Sequence, residues 1–173
     1  IALQTFIPSP TQTPGRMNLI KFQNFNVMID FAHNPAGLKA VGKYLEKVDA
    51  TLKVGIIAGT GDRRDEDIIE FGALSAKYFD KLVIRQDKHL RGRTAEEIIG
   101  LLKKGIGKEK KDIPVEIFYK EREAIVHTLQ NAVEGSFITI LCDTVPDALN
   151  TVIGLKEKES DLKILKSDIP NLN

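Results

Sequence analysis

Residues 27–44, VMIDFAHNPAGLKAVGKY, constrain the fold more than any other segment. Val27, Met28 and Ile29 form an apolar run too short by itself to tell strand from helix. The residues after it decide for a strand. Asn34-Pro35 is a helix start: the Asn side chain can accept a bond from a free first-turn N–H, and proline at the next position loses no helical bond. Leu38, Val41 and Leu45 then recur at helical spacing. Asp30, His33 and Asn34 are thereby crowded at the carboxyl end of a strand, beside a helix N-terminus. Open α/β sheets bind ligands there, and anions are favoured there. Asn34 as a cap and Asp30 as a turn holder would satisfy the same pattern. His33 is not needed for a cap.

The rest of the chain repeats the unit. Asn18 to Phe22 and Phe25 to Ile29 read as a hairpin. Strands are expected at about 52–58, 81–84, 114–119 and 137–142. Helices are expected at about 35–47, 66–78, 95–104, 121–133 and from Val145 to near Glu157. Strands alternating with helices call for an α/β, Rossmann-like, mostly parallel sheet of about six strands. Helices cover both faces, and the N-terminal hairpin adds one antiparallel strand. Residues 1–14, with three prolines, read as a linker, 15–158 as the α/β domain and 159–173 as a tail. Segment 103–112, KKGIGKEKKD, reads as a solvated basic loop.

A chain of 173 residues suits one such domain. Its net charge of +1, with acids and bases intermixed, provides no field for nucleic acid or an acidic membrane. No apolar run approaches the roughly 20 residues of a membrane span. The single cysteine, Cys142, lies in an apolar strand, excludes an internal disulfide and reads as a core residue. A cytoplasmic location is the plainest reading. A start at Ile1 rather than methionine is consistent with a fragment of a longer chain.

Chemistry should gather in the turns after the parallel strands. Besides Asp30–Asn34, these are AGTGDRRD (58–65), RQDKHLRGR (85–93) and DTVP (143–146). In the second, two glycines would let backbone N–H groups approach a ligand, and Arg63 and Arg64 add positive charge. The third carries arginines suited to carboxylate or phosphate. In the fourth, Asp143 or Thr144 is expected only to cap the last helix. There is no P-loop, no Gly-x-Ser-x-Gly elbow and no pair of histidines at metal-ligand spacing. The chain is not expected to run a reaction alone, nor to hold a metal.

The order PGRMNL, DFAHNPAG, GDRRDEDI and then Asp-x-x-x-Arg-Gly-Arg resembles the C-terminal domain of the Mur ligase superfamily. Within it, GDRRDEDI with RGRT is most similar to the cyanophycin synthetase branch. The resemblance implies an ATP-dependent amide ligase. ATP and Mg would be held mainly by a central P-loop domain absent from this chain, over which this domain closes, in a homo-oligomeric parent. By motif position it implies nucleotide contacts for Arg16, Asp30, His33 and Asn34. The implied chemistry is acyl-phosphate formation followed by amine attack, adding arginine to aspartate side chains of a polymer. Arginine needs both signs around it. Asp62, Asp65 or Asp87 would face the guanidinium and Arg91 or Arg93 the carboxylate, with Arg63 and Arg64 nearby. The loop Asp87-Lys88-His89-Leu90-Arg91 departs from the Asp-Asn-Pro-Arg text of diaminopimelate ligases and argues against that substrate. Alternatives are a folylpolyglutamate synthase or muramyl-peptide ligase domain, or a non-catalytic nucleotide- or anion-binding module.

Overall fold

The computed structural model describes residues 12–167, with side chains through Glu159. Residues 1–11 of the expected linker and 168–173 of the expected tail lie outside these residues, and 159–167 are helical rather than tail. Six strands form one sheet: β1 (Asn18–Lys21), β2 (Asn26–Asp30), β3 (Lys53–Ile57), β4 (Lys81–Arg85), β5 (Val115–Phe118) and β6 (Phe137–Leu141). Five helices connect them: α1 (Pro35–Leu45), α2 (Asp65–Tyr78), α3 (Ala95–Glu109), α4 (Glu121–Gln130) and α5 (Val145–Ser167). The strand order is β1-β2-β6-β3-β4-β5. Only β1 runs antiparallel, paired with β2; every other neighbour is parallel. The α/β reading, its strand count and its hairpin all hold.

Strand alternation assigns the two faces. Met28, Ile57, Leu82 and Ile84 join the core formed with α1, α2 and α3. Val27, Ile29, Val54, Ile56, Val83, Ile138 and Ile140 turn the other way, onto Ala124, Ile125 and Leu129 of α4 and Ala148, Leu149 and Val152 of α5. With both faces covered, central strands are buried almost without interruption, as parallel sheets require.

Two expectations fail. The basic loop at 103–112 is mostly helix, since α3 continues to Glu109. Its charges suggested a solvated loop, but Gly105 and Ile106 are buried, Gly105 where α3 crosses α2. A Cβ there would overlap the Ile69 carbonyl oxygen, so the close crossing itself requires glycine. The last helix also passes Glu157 and runs to Ser167. Among the described residues no helix is long and apolar enough to cross a membrane.

The register places Asp30 beside Leu141 and Arg85 beside Phe118, so the carboxyl ends of the parallel strands are level. Between β6 and β3 the connections diverge: β3 leads outward to β4 and β5, while the chain returns from β5 to β6. That divergence opens the crevice in which such sheets bind ligands.

Candidate functional site

The first feature of this edge is a latch that Asp30 makes with the 13–18 segment. Asp30 is 7% exposed. Its Oδ2 accepts the Met17 N–H at 2.9 Å and its Oδ1 the Ala32 N–H at 2.8 Å. The Gly15 carbonyl accepts the Phe31 N–H at 3.0 Å. Fully buried Asn18 closes the other side: its Oδ1 accepts the Gly15 N–H at 2.6 Å, and its Nδ2 donates to the Thr13 carbonyl at 2.9 Å. Met17 sits at φ +47, a costly conformation for a side-chain-bearing residue that its surroundings must hold in place. The result presents Arg16, exposed, with its guanidinium 5.9 Å from the Phe31 ring centroid. Asp30 thus positions Arg16, and each of its oxygens keeps one lone pair.

His33 stands next to this latch. Its Nδ1 lies 2.9 Å from the Phe31 carbonyl, which can only accept. Nδ1 therefore carries the proton, and Nε2 is left to face a ligand. Asn34 is the N-cap of α1, its Oδ1 accepting the Gly37 N–H at 2.8 Å, with Pro35 opening the first turn. Its side-chain oxygen is thereby committed to the fold.

The glycines of the second turn serve packing, not a ligand cradle. A Cβ on Gly61 would overlap the Leu90 carbonyl oxygen, and one on Gly59 would come within 2.6 Å of Ile98. This close approach lets two loops lock together. Arg91 pairs with Asp62. Arg93 Nη1 pairs with Asp65 at 2.7 Å and with Glu97 at 2.8 Å. Its Nε and Nη2 donate to the Gly61 and Arg63 carbonyls, each at 3.1 Å. Arg64 turns away onto Asp67 at 2.9 Å. Asp62, Asp65, Arg91 and Arg93 are therefore already occupied as an inter-loop clamp, and Arg64 is held within its own turn by Asp67. Arg63 differs. Its Nε is buried without a hydrogen-bond partner, as is Thr60 Oγ1, and Asp62 Oδ1 stands 4.0 Å from it.

His33, Thr60 and Arg63 line one cavity of ≈ 140 Å³ with Arg85, Asp87 and Asp143. The three loops carrying Arg16, Asp30–Asn34 and 59–65 thus converge along one rim. Sequence reasoning missed Glu121 and Asp143. Arg85, 4% exposed, pairs through Nε with Glu121 Oε2 at 2.9 Å. Glu121 Oε2 also accepts the Asp143 N–H at 2.8 Å. Asp143 does not cap α5: its Oδ2 accepts the Lys88 N–H at 3.3 Å, and its carboxyl meets that of Asp87. Burial, then the Asp143 carboxyl, raises the Asp87 pKa, and burial raises that of Glu121. The available signal was position: Asp143 directly follows the apolar run of a parallel strand. Cys142 is buried, and burial pushes its thiol up to about 12, which removes it as a nucleophile. Among the described residues no His, Cys, Asp or Glu group is arranged to hold a metal.

The α/β domain thus carries its candidate ligand rim at the carboxyl ends of the parallel strands. A family model described as "Mur ligase, glutamate ligase domain" matches residues 15–142, and the chain belongs to that family. Among its relatives is the cyanophycin synthetase of Trichormus variabilis, 37% identical over 150 residues, which are 87% of this chain and 17% of that protein. The chain therefore spans well under a quarter of such a relative. A solved UDP-N-acetylmuramoyl-L-alanyl-D-glutamate–2,6-diaminopimelate ligase superposes at TM-score 0.65 with 23% identity, over 78% of this chain and 26% of that one. Folylpolyglutamate synthase of Mycobacterium tuberculosis, in complex with ADP and AMPPCP, superposes at 0.62 with 22% identity, over 83% and 33%.

Proposed function

We propose that this chain is the closing C-terminal domain of an ATP-dependent acid–amino-acid ligase of the cyanophycin synthetase kind, which joins arginine to aspartate side-chain carboxylates of a polymer. The observation that carries the reading is the shared rim of Arg16, the Asp30 latch and His33, in a chain 37% identical to a cyanophycin synthetase across 87% of its length. The rim fits a polyphosphate. It offers the exposed Arg16, the Arg63 guanidinium and the Thr60 hydroxyl, the last two with buried polar atoms that no protein group satisfies.

ATP, held with Mg mainly by a central P-loop domain of the parent, supplies the activation that makes a carboxylate reactive. This chain's residues do the rest. Arg16 offsets phosphate charge on closure. Asp30 fixes the turn that presents Arg16. His33, donating from Nδ1 to the Phe31 carbonyl, leaves Nε2 open at the rim for the nucleotide. Asn34 caps α1 and holds the corner. Catalysis of phosphoryl transfer is mostly positioning and charge neutralisation, and a group contacted only at closure acts on turnover.

The test is phosphate release by the intact ligase with an aspartate polymer as acceptor. Arginine is expected to drive it, and glutamate and diaminopimelate are not. Arg16→Ala is expected to lower turnover about a hundredfold, the effect of removing one donor to developing charge. Near-normal turnover would remove Arg16 from the site, and release driven by glutamate would reassign the domain to the folylpolyglutamate type.

A further inference from the structure

Among the described residues the sheet ends on β5, bordered by β4 and open on its other side. The ladder fixes which backbone groups face out. Leu82 and Gln86 donate their N–H groups to the Pro114 and Phe118 carbonyls at 2.9 and 3.0 Å, and Leu82 stands level with Val115. Even-numbered residues of β5 therefore turn their backbone groups toward β4. Val115 and Ile117 turn theirs outward, where Ile117 meets no backbone partner among the described residues. A proline can blunt an edge by removing an outer N–H, but Pro114 belongs to the set that faces β4. The outward positions, Val115, Ile117 and Tyr119, carry no charge. Two of the five large apolar side chains exposed among the described residues, Ile117 at 39% and Tyr119 at 59%, lie on this edge. Lys120, the residue before α4, keeps extended backbone at φ −130 and ψ 132, so the edge runs past the last residue of β5.

We propose that this edge pairs antiparallel with the same edge of a second copy of the chain, about a two-fold axis at Phe118. The proposal stands independently of the ligase reading. A strand that pairs with its own copy is two-fold symmetric, so one residue or residue gap centres the register. Only outward-facing residues exchange hydrogen bonds, and centring on Phe118 sets Ile117 against Tyr119 of the second copy. The same register sets Glu116 against Lys120 of the second copy and Phe118 against its own counterpart. A β-branched–aromatic pair, an opposite-charge pair and an aromatic pair thus coincide. Centring on Glu116 would oppose two carboxylates, and centring on Ile117 would set Glu116 against Phe118. Charge complementarity therefore selects both the register and the occupant. Lys120 can change partners, since its 2.7 Å bond to Glu123 is an exposed pair within one turn. Glu116 pairs with Lys81 at 2.8 Å, and a carboxylate has lone pairs for a second cation. Tyr119 and Lys120 also line a cavity of ≈ 460 Å³ at the carboxyl ends of β4, β5 and β6. The pairing brings Ile117 of the second copy to the wall of that cavity.

The test is sedimentation equilibrium of the 173-residue chain, with amide hydrogen exchange read at rising concentration. A dimer whose share grows with concentration is expected. Exchange is expected to slow at the N–H groups of Ile117 and Tyr119 and to stay unchanged along β1 at the opposite edge. Lys120→Glu is expected to weaken the dimer about tenfold by opposing like charges, and adding Glu116→Lys to restore it. Ile117→Lys is expected to weaken it by at least as much, because a lysine on an edge strand resists pairing. Thermal unfolding checks that each variant is folded. Should Glu116→Lys unfold the chain, Lys120→Glu and Ile117→Lys, both at exposed positions, decide the matter between them. A chain monomeric up to about 1 mM, or a dimer indifferent to both of those variants, would overturn the pairing. So would protection of this edge in the intact ligase that does not change with concentration, which would assign it to another domain of the parent.

Discussion

Replacing Asp87 by asparagine should make the protein more stable, although it removes a charged side chain from a buried position. Asp87 is 4% exposed and meets the Asp143 carboxyl. Two neighbouring carboxylates repel when both are charged, and Arg85 offsets part of this. The new side-chain amide would donate an N–H to Asp143 and remove the repulsion. The expected net gain is about 1 kcal/mol, a common return when a strained functional group is removed, or about 2–4 °C in Tm for a chain of this size. The pH dependence carries the sharper signature. Burial and Asp143 raise the Asp87 pKa in the folded state. Below the ordinary aspartate value of about 3.9, folded and unfolded states both hold the proton and variant and parent match. As pH rises, the unfolded chain ionises first, and the parent loses stability relative to the variant until the folded pKa is passed. Thermal unfolding followed by circular dichroism from about pH 4 to 8 reads the gap across that window. A variant less stable near neutral pH, or a gap that closes with rising pH, would refute the reasoning.

The same contacts set the sign of other perturbations. Glu121→Gln strips the partner from Arg85, which is 4% exposed, and is expected to cost about 3 kcal/mol in denaturant unfolding, as broken buried pairs do. That opposite sign to Asp87→Asn separates the acid paired with Arg85 from the one crowded by a second carboxyl, and equal effects would contradict the division. Gly105→Ala should destabilise by about 1–2 kcal/mol. Overpacking at the α2–α3 crossing outweighs the roughly 1 kcal/mol that alanine gains in a helix. Gly107→Ala, with nothing within 4 Å of its new Cβ, should instead stabilise. Chemical denaturation of the pair decides, and matching signs would remove the close-crossing argument.

The fold was legible because its rules are local. The Asn34-Pro35 start, the apolar spacing of Leu38, Val41 and Leu45, and the near-continuous apolar strands each specify an element within a few residues. The end of α3 was not legible. The charges of 103–112 read as a solvated loop, and the contact that buries Gly105 against α2 spans the interval between Gly105 and Ile69. The site divides the same way. Strand-end position singled out Asp30 and His33, whereas Arg16, which precedes β1, was legible only through the resemblance of the PGRMNL segment. Charge count alone could not say that Arg91 and Arg93 would close on Asp62 and Asp65, because pairing is decided by which loops the sheet sets side by side. Asp143 and Glu121 were passed over for a related reason: each sits where a helix begins, and Glu121 reaches Arg85 because β5 lies beside β4, while Asp143 reaches Asp87 across the two strands from β6 to β4.

The central claim is that the carboxyl edge of the sheet is the face this domain turns toward its substrates. Hydrogen exchange on the intact ligase, with and without ATP and arginine, tests it most directly. Slowed exchange is expected at 15–18, 30–34, 60–63, 86–88 and 143–145, with little change at the opposite edge around 49–53 and 133–137. Protection confined to that opposite edge would contradict the account.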